Sequence, residues 1–279
     1  MSNKVWFVTG ASKGLGLTLA KRLLAAGYKV AATSRTADAL IKAVGTDHAE
    51  NFLPLEVSLT DEHSVKQAIA ATLKKFGTID VIVNNAGYGQ VGTLEELSDQ
   101  EARQNFDINV FGSLNVIRNV MSHLREKGSG RIYNISSVGG YSGNFGGWGI
   151  YCSTKFAVAG FTESLAAEVK EFGIYATIVY PGYFRTDFLS QDSLAVPAHP
   201  IDAYQAARAS QEAHQQEING NQTGDPVKAS DLLIKLAEEP TPPLHLFLGA
   251  DAYAMADQKI AFVQQEMAGM KAQATATAL

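Results

Sequence analysis

Short runs that are apolar at nearly every position recur along this chain, at residues 4–8, 29–33, 51–57, 81–84, 131–136, 175–180 and 244–248. A strand with one wet face alternates apolar and polar residues, so runs without that alternation belong to strands covered on both faces. Between them lie segments of helical periodicity at 15–26, 62–76, 99–127, 151–172, 201–218 and 227–237. Buried strands alternating with amphipathic helices specify right-handed βαβ crossovers, which place helices on both faces of a parallel sheet. The expected fold class is α/β, a doubly wound parallel sheet of about seven strands.

The 279 residues, 46% of them hydrophobic, fit a single large core, and no repeat or Pro/Ser-rich linker divides them. The expectation is one domain spanning 1–279, with an insertion at 188–223 and a C-terminal extension at 250–279. The insertion reads either as a mobile lid over a substrate or as a permanently docked helical arm. The last residues, 272–279, read as frayed. A net charge of -5 supplies no cationic excess for nucleic acid or an anionic membrane, so a small molecule is the expected partner. The single cysteine, Cys152, fits a reducing compartment, and no run has the length or apolarity of a signal or spanning segment; the expected location is the cytoplasm. The six histidines show no ligand spacing, and no metal site is expected.

The first apolar run leads into Thr9-Gly10-Ala11-Ser12-Lys13-Gly14-Leu15-Gly16 and then a helix. Glycines there let backbone approach a ligand while the helix N-terminus points at it, an arrangement suited to pyrophosphate. The second run ends Thr33-Ser34-Arg35, with no carboxylate where an adenosine ribose of NAD would be held. Arg35 offers a planar fork to a 2′-phosphate and Lys13 adds positive charge, so NADP(H) is expected over NAD(H); Asp38 is the nearby acid that could serve NAD instead.

Further on come Asn84-Asn85-Ala86-Gly87, Asn109 within a long helix, Ser136-Ser137, Tyr151-Cys152-Ser153-Thr154-Lys155 and Pro181-Gly182-Tyr183-Phe184-Arg185-Thr186. In this order, over residues 4–250, these motifs resemble the short-chain dehydrogenase/reductase family and its Rossmann-type fold. The segments around Tyr151 and Pro181 are similar to its hydroxysteroid and retinol dehydrogenase-like branch. The resemblance implies Tyr151 as general acid/base, Lys155 as its activator and ribose ligand, Ser137 as donor to the substrate oxygen, and Asn109 as anchor of a relay water. For the cofactor it implies Gly10, Ser12, Lys13, Gly14, Leu15, Gly16, Ser34, Arg35, Glu56, Val57, Asn85, Ala86, Gly87, Tyr151, Lys155, Pro181, Gly182 and Thr186. Glu56 stands where the family often has aspartate, and the chain runs past Leu248, where shorter members end. A homodimer or homotetramer is implied.

The chemistry of these residues agrees with those roles. Tyr151 and Lys155 are four apart, on one helix face. A nearby ammonium favours tyrosinate and moves a phenol of ordinary pKa about 10 toward the range useful for proton transfer. Tyr141, Phe145, Trp148, Tyr183, Phe184 and Phe188 are candidates for an apolar substrate pocket. Cys152 has no partnering base and is expected to pack inward. The expected activity is interconversion of a ketone or aldehyde with an alcohol by direct hydride transfer. The alternatives are an idle NADP(H)-binding sensor or scaffold and a 3-oxoacyl thioester reductase.

Overall fold

The computed structural model describes residues 4–45, 50–191 and 193–277. β1 (Val5–Val8) runs into α1 (Gly14–Ala25), β2 (Lys29–Ser34) into α2 (Ala37–Val44), and β3 (Phe52–Glu56) into α3 (Glu62–Phe76). β4 (Val81–Asn84) is followed by the two-residue β5 (Gly89–Gln90), α4 (Asp99–Phe106), a wider π-helical turn at Asp107–Phe111, and α5 (Gly112–Lys127). Then come β6 (Gly130–Ile135), α6 (Gly149–Val169), β7 (Ile174–Pro181), the short β8 (Leu194–Ala195) and α7 (Gln205–Glu212). A second π-helical turn at Ala213–Ile218, α8 (Pro226–Leu236), β9 (His245–Leu248) and α9 (Ala250–Thr275) complete the order.

Seven strands form one parallel sheet in the order β3-β2-β1-β4-β6-β7-β9, and β5 pairs with β8 in a separate parallel pair. The doubly wound sheet expected from the apolar runs is present. All four residues of β1 are fully buried, because helices cover both sides. Trp6 and Val8 pack on Leu19 and Leu23 of α1 and Leu233 of α8, whereas Phe7 packs on Val65 of α3, Val116 of α5 and Leu165 of α6. Each such aliphatic side chain removed from water contributes about 1.5–3 kcal/mol. The chain reverses direction across the sheet between β1 and β4, so a crevice opens beyond their carboxyl ends.

Helix ends follow local chemistry. Asp61 caps α3 through the His63 N–H and Gly77, at φ +81°, closes it; Asp225 caps α8 with Pro226 in its first turn. Four elements depart from expectation. The long helix expected over 99–127 is broken by the π-turn holding Asn109. The helix expected from 201 starts at Gln205, because residues 201–204 form a turn closed by the Tyr204 N–H on the Ile201 carbonyl. α2 forms although Thr36 makes no side-chain cap; Leu40 supplies the buried anchor. The C-terminal extension is a long helix through Thr275, so residues 272–275, expected to fray, are helical. Residues 278–279 of that tail lie outside the described residues.

Candidate active site

At the end of β1 the chain must turn beside β4. Thr9 ties the two together: its hydroxyl accepts from the N–H groups of Asn85 (3.0 Å) and Ala86 (3.1 Å). Gly10 has φ +63°, and a Cβ there would lie 2.7 Å from the Ala86 Cα, so no other residue fits this approach. Gly14, at φ +59°, opens α1, whose N-cap residue Lys13 makes no side-chain cap; the first N–H groups of the helix are therefore open toward the crevice. Gly16 lies beneath the loop rather than in the crevice wall, where a Cβ would stand 2.7 Å from the Gly10 carbonyl.

The crevice has a volume of about 820 Å3. At one end Ser12, Lys13, Gly14 and Leu15 meet Ser34 and Arg35, and Val57 forms an adjoining wall. Among the described residues no carboxylate pairs with Arg35. Asp38 and Glu56 are exposed and line no part of the crevice, since the chain has already turned into α2 beyond Arg35 and the strand pleat directs Val57, not Glu56, to the wall. Asn85, Ala86, Gly87, Pro181, Gly182 and Thr186 line its middle.

The other end holds Ser137, Tyr151 and Lys155. The Ser137 hydroxyl accepts from the Gly139 N–H at 3.1 Å and faces the same end of the crevice as the Tyr151 phenol, and the Lys155 Nζ lies 5.8 Å from the centre of the Tyr151 ring. Lys155 is almost wholly buried; its ammonium donates to the Ile135 carbonyl at 2.8 Å, and the Ser136 hydroxyl donates to the Lys155 carbonyl at 2.8 Å. Burial lowers the Lys155 pKa from 10.5 to about 8. Burial also raises the Tyr151 phenol well above its ordinary value, an effect opposed by the neighbouring Ser137 hydroxyl. The Cys152 thiol, expected to pack inward, is buried but belongs to the crevice lining; burial pushes its pKa up to about 11, which suits an inert side chain.

Asn109 is buried behind this group and outside the crevice wall. Its Oδ1 accepts from the Tyr88 N–H at 3.1 Å, while its Nδ2 donates to the Tyr88 carbonyl and the Thr154 hydroxyl, each at 3.1 Å. The π-turn thus clamps the loop after β4 onto α6, one residue before Lys155.

Phe145, Trp148, Tyr183, Phe184 and Phe188 line the crevice as expected of a pocket wall, and the Trp148 and Phe188 rings stand 5.7 and 5.8 Å from that of Tyr151. Tyr141 does not; it packs against Tyr180 and Phe247 on the far side of β7. Three participants carried no sequence signal. His214, in the second π-turn, lines the same wall, its Nδ1 2.7 Å from the Ser210 carbonyl and its Nε2 2.9 Å from the Tyr183 hydroxyl. Because a carbonyl can only accept, Nδ1 carries the proton and Tyr183 donates to Nε2. Gln90, in the tiny β5, also faces the crevice. Asp251, in the first turn of α9, accepts from the Tyr183 N–H at 2.6 Å and so holds the loop after Pro181 from behind.

Residues 4–195 match the family model for short chain dehydrogenase. The chain is 36% identical over 249 residues to oxidoreductase BOA17 of Botryotinia fuckeliana, covering 89% of this chain and 90% of that one. It superposes on the crystal structure of a short-chain dehydrogenase from Streptomyces avermitilis with a TM-score of 0.91 at 34% identity, over the full length of both chains, α9 included. The NADP-bound structure of ElxO superposes with a TM-score of 0.75 at 28% identity, covering 91% of this chain and all of that one. With its parallel sheet, its glycine turn at the crevice and its matched family model, the chain belongs to the short-chain dehydrogenase family of oxidoreductases.

Proposed function

We propose that this protein is an NADP(H)-dependent carbonyl reductase and alcohol dehydrogenase acting on bulky apolar ketones or aldehydes, in the manner of the hydroxysteroid and retinol dehydrogenase-like branch. The observation that carries the reading is the gathering of Ser137, Tyr151 and Lys155 at one end of a crevice whose other end is lined by Arg35. The crevice suits a dinucleotide: the Gly10 turn admits a close ligand, the α1 N-terminus offers open N–H groups, and Ser34, Arg35 and Lys13 provide donors for a 2′-phosphate. The NADP-bound relative supports the same choice.

When bound, the reduced nicotinamide supplies hydride to the substrate carbon. Ser137 donates to the carbonyl oxygen and fixes it beside the phenol, where charge develops. Tyr151 delivers its proton to that oxygen; in the reverse direction it accepts one. Lys155 holds positive charge against the phenol and favours its deprotonated form after transfer. Asn109 has its side chain engaged by Tyr88 and Thr154, so its part is to hold the loop after β4 against α6 beside Lys155. Phe145, Trp148 and Phe188 exclude water and favour an apolar substrate, and the insertion 188–223 would close over it.

An NADPH-oxidation screen over steroid, aromatic, aliphatic and acetoacetyl ketones tests the reading. Turnover is expected with bulky apolar ketones, and Tyr151→Phe should lower kcat by about 10²–10⁴-fold while NADPH affinity is kept. Turnover unchanged in that variant would refute the assignment.

A further inference from the structure

Two side chains at the substrate end of the crevice carry oxygen atoms that receive no donor among the described residues. The first is Tyr183. Its hydroxyl lies 2.9 Å from the His214 Nε2, and the His214 Nδ1 lies 2.7 Å from the Ser210 carbonyl, so the protons are ordered one way: His214 donates to the backbone and Tyr183 donates to His214. Burial raises the Tyr183 pKa, with the Asp251 carboxylate and Cys152 adding to it, so the phenol keeps the proton it gives to that bond. With its hydrogen committed, the Tyr183 oxygen can only accept, and a chain of bonds polarised in one direction strengthens it as an acceptor.

The second is Gln90, in the two-residue β5. It is 2% exposed, yet it lines the crevice. Its Nε2 donates to the Val91 carbonyl at 3.1 Å, which leaves the amide oxygen as the free end. Gln90 follows Gly89, where a Cβ would stand 3.4 Å from Trp148 and 3.5 Å from Phe188, so β5 runs beside the rings that wall the site.

The reacting atoms are close by. The Trp148 ring reaches both groups, 4.7 Å from that of His214 and 5.7 Å from that of Tyr151. Tyr183 packs on the apolar cluster that contains Tyr151 and Cys152. Burial is the main reason the Tyr151 phenol resists ionisation, and the neighbouring Tyr183 adds to it. Polarity is therefore divided across the site. Ser137 and Tyr151 donate to the carbonyl that is reduced, while Tyr183 and Gln90 accept from another group on the same substrate. That group must carry a hydrogen. A second carbonyl, an ether or a plain hydrocarbon would leave both oxygens desolvated and unpaired, which costs binding. Neither acceptor is charged, so an ammonium held by them would not recover its desolvation cost.

We propose that the substrate is a hydroxy ketone whose hydroxyl, on a carbon close to the carbonyl, is held by Tyr183 and Gln90, with His214 as the positioning residue that keeps Tyr183 an acceptor. The inference rests on the carbonyl-reductase reading of this crevice and narrows its substrate. Reduction adds hydride from NADPH to the ketone carbon and the Tyr151 proton to its oxygen, leaving the hydroxyl unchanged and giving a diol and NADP+.

Size-matched ketones test it: α-hydroxyacetophenone against propiophenone, in which a methyl replaces the hydroxyl. They are compared as kcat/KM with NADPH and as Kd by calorimetry on the NADPH complex of Tyr151→Phe. Both measures should favour the hydroxy ketone about tenfold, the effect of one to two neutral hydrogen bonds. Tyr183→Phe and Gln90→Leu should each lower that ratio severalfold, whatever they do to either ketone alone. His214→Leu frees the Tyr183 proton for donation, so preference should pass to phenylpropanedione, which brings a second acceptor; a residue that only packs would not invert the order. Equal wild-type values, a ratio unchanged in both Tyr183→Phe and Gln90→Leu, or tighter binding of α-aminoacetophenone than of the hydroxy ketone would overturn the inference. If neither ketone oxidises NADPH, the reductase reading alone falls, and the Kd ratio then upholds or overturns the hydroxyl site.

Discussion

Tyr151 combines burial, which holds its proton in place, with the neighbouring Ser137 hydroxyl, which favours its loss. Carbonyl reduction uses the protonated phenol and alcohol oxidation the phenolate. Because burial raises the phenol pKa in the cofactor-free protein, the protonated form prevails through neutral pH and is lost only as pH rises toward the phenol pKa. The kcat/KM for reduction should therefore be flat near neutrality and fall in alkaline solution, while that for oxidation rises over the same range. Parallel pH profiles in the two directions would exclude Tyr151 as the proton carrier. At the other end of the crevice, Arg35 is expected to select the phosphorylated coenzyme. A charge-assisted hydrogen bond contributes about 1.5–3 kcal/mol, and about 1.4 kcal/mol is tenfold, so kcat/KM should favour NADPH over NADH by roughly ten- to a hundredfold. Arg35→Asp should remove or reverse that preference, and equal wild-type values would count against it. The sequence made Tyr151, Lys155, Ser137 and Arg35 legible because each follows a local pattern: an i, i+4 pair, a strand end, a cation replacing a carboxylate. His214 follows none. Its place opposite Tyr183 comes from the path of the insertion, some thirty residues away along the chain.

The insertion between β7 and α8 was read as lid or docked arm, and its anchors are now specific. The Ser193 and Ala195 carbonyls accept from the Gly89 and Val91 N–H groups, making β8 a strand beside β5. The Glu96 carboxylate is fully buried; it accepts from the N–H groups of Thr93 (2.8 Å) and Ile201 (2.9 Å) and from Arg208 (2.7 Å). Burial pushes its pKa up, but these donors outweigh it and hold the group below the usual carboxylate range. If the segment is a lid, Glu96 is its latch. Breaking a buried ion pair costs about 3–5 kcal/mol, and less where one partner is partly exposed as Arg208 is, so Glu96→Gln should speed proteolysis between Leu189 and His199 about tenfold or more. NADPH with a substrate analogue should slow the same cut in the wild type, because ligand draws population from the open state. A cut elsewhere, or one indifferent to ligand, would favour the docked arm. α9 shows the same dependence on distant contacts: Asp251 in its first turn braces the loop after Pro181, a role that a carboxylate in an extension of unassigned structure could not reveal.

For the molecule as a whole, the crevice gathers groups from both halves of the sheet, with Gly14 and Arg35 from one half and Tyr151, Lys155 and Gly182 from the other. A ligand that touches both halves should stabilise the fold as a unit. NADPH at about a hundred times its Kd should add about 2.7 kcal/mol. For a chain of this size, where each kcal/mol shifts the midpoint by roughly 2–4 °C, that is a rise of about 5–10 °C in Tm by calorimetry. NADH at the same concentration should give a smaller rise, and an equal one would contradict the role of Arg35. α2, the short pair β5 and β8, and the helix α9 were not read from the sequence, whereas the parallel sheet, the seven strands that build it, and the position of each motif at a strand end or helix start were determined by it. Those features rest on local periodicity, on glycines that alone permit the turn at Gly10, and on spacings of a few residues. Tertiary structure alone decided which candidates face the crevice: Val57 and not Glu56, Phe188 and not Tyr141, Asn109 behind the site and not in it. It also decided the breaks in regular helix at Asp107–Phe111 and Ala213–Ile218, and the partners of Glu96, His214 and Asp251. Each depends on contacts between residues far apart in sequence, and the geometry of such a contact exists only after the sheet has brought the two segments together.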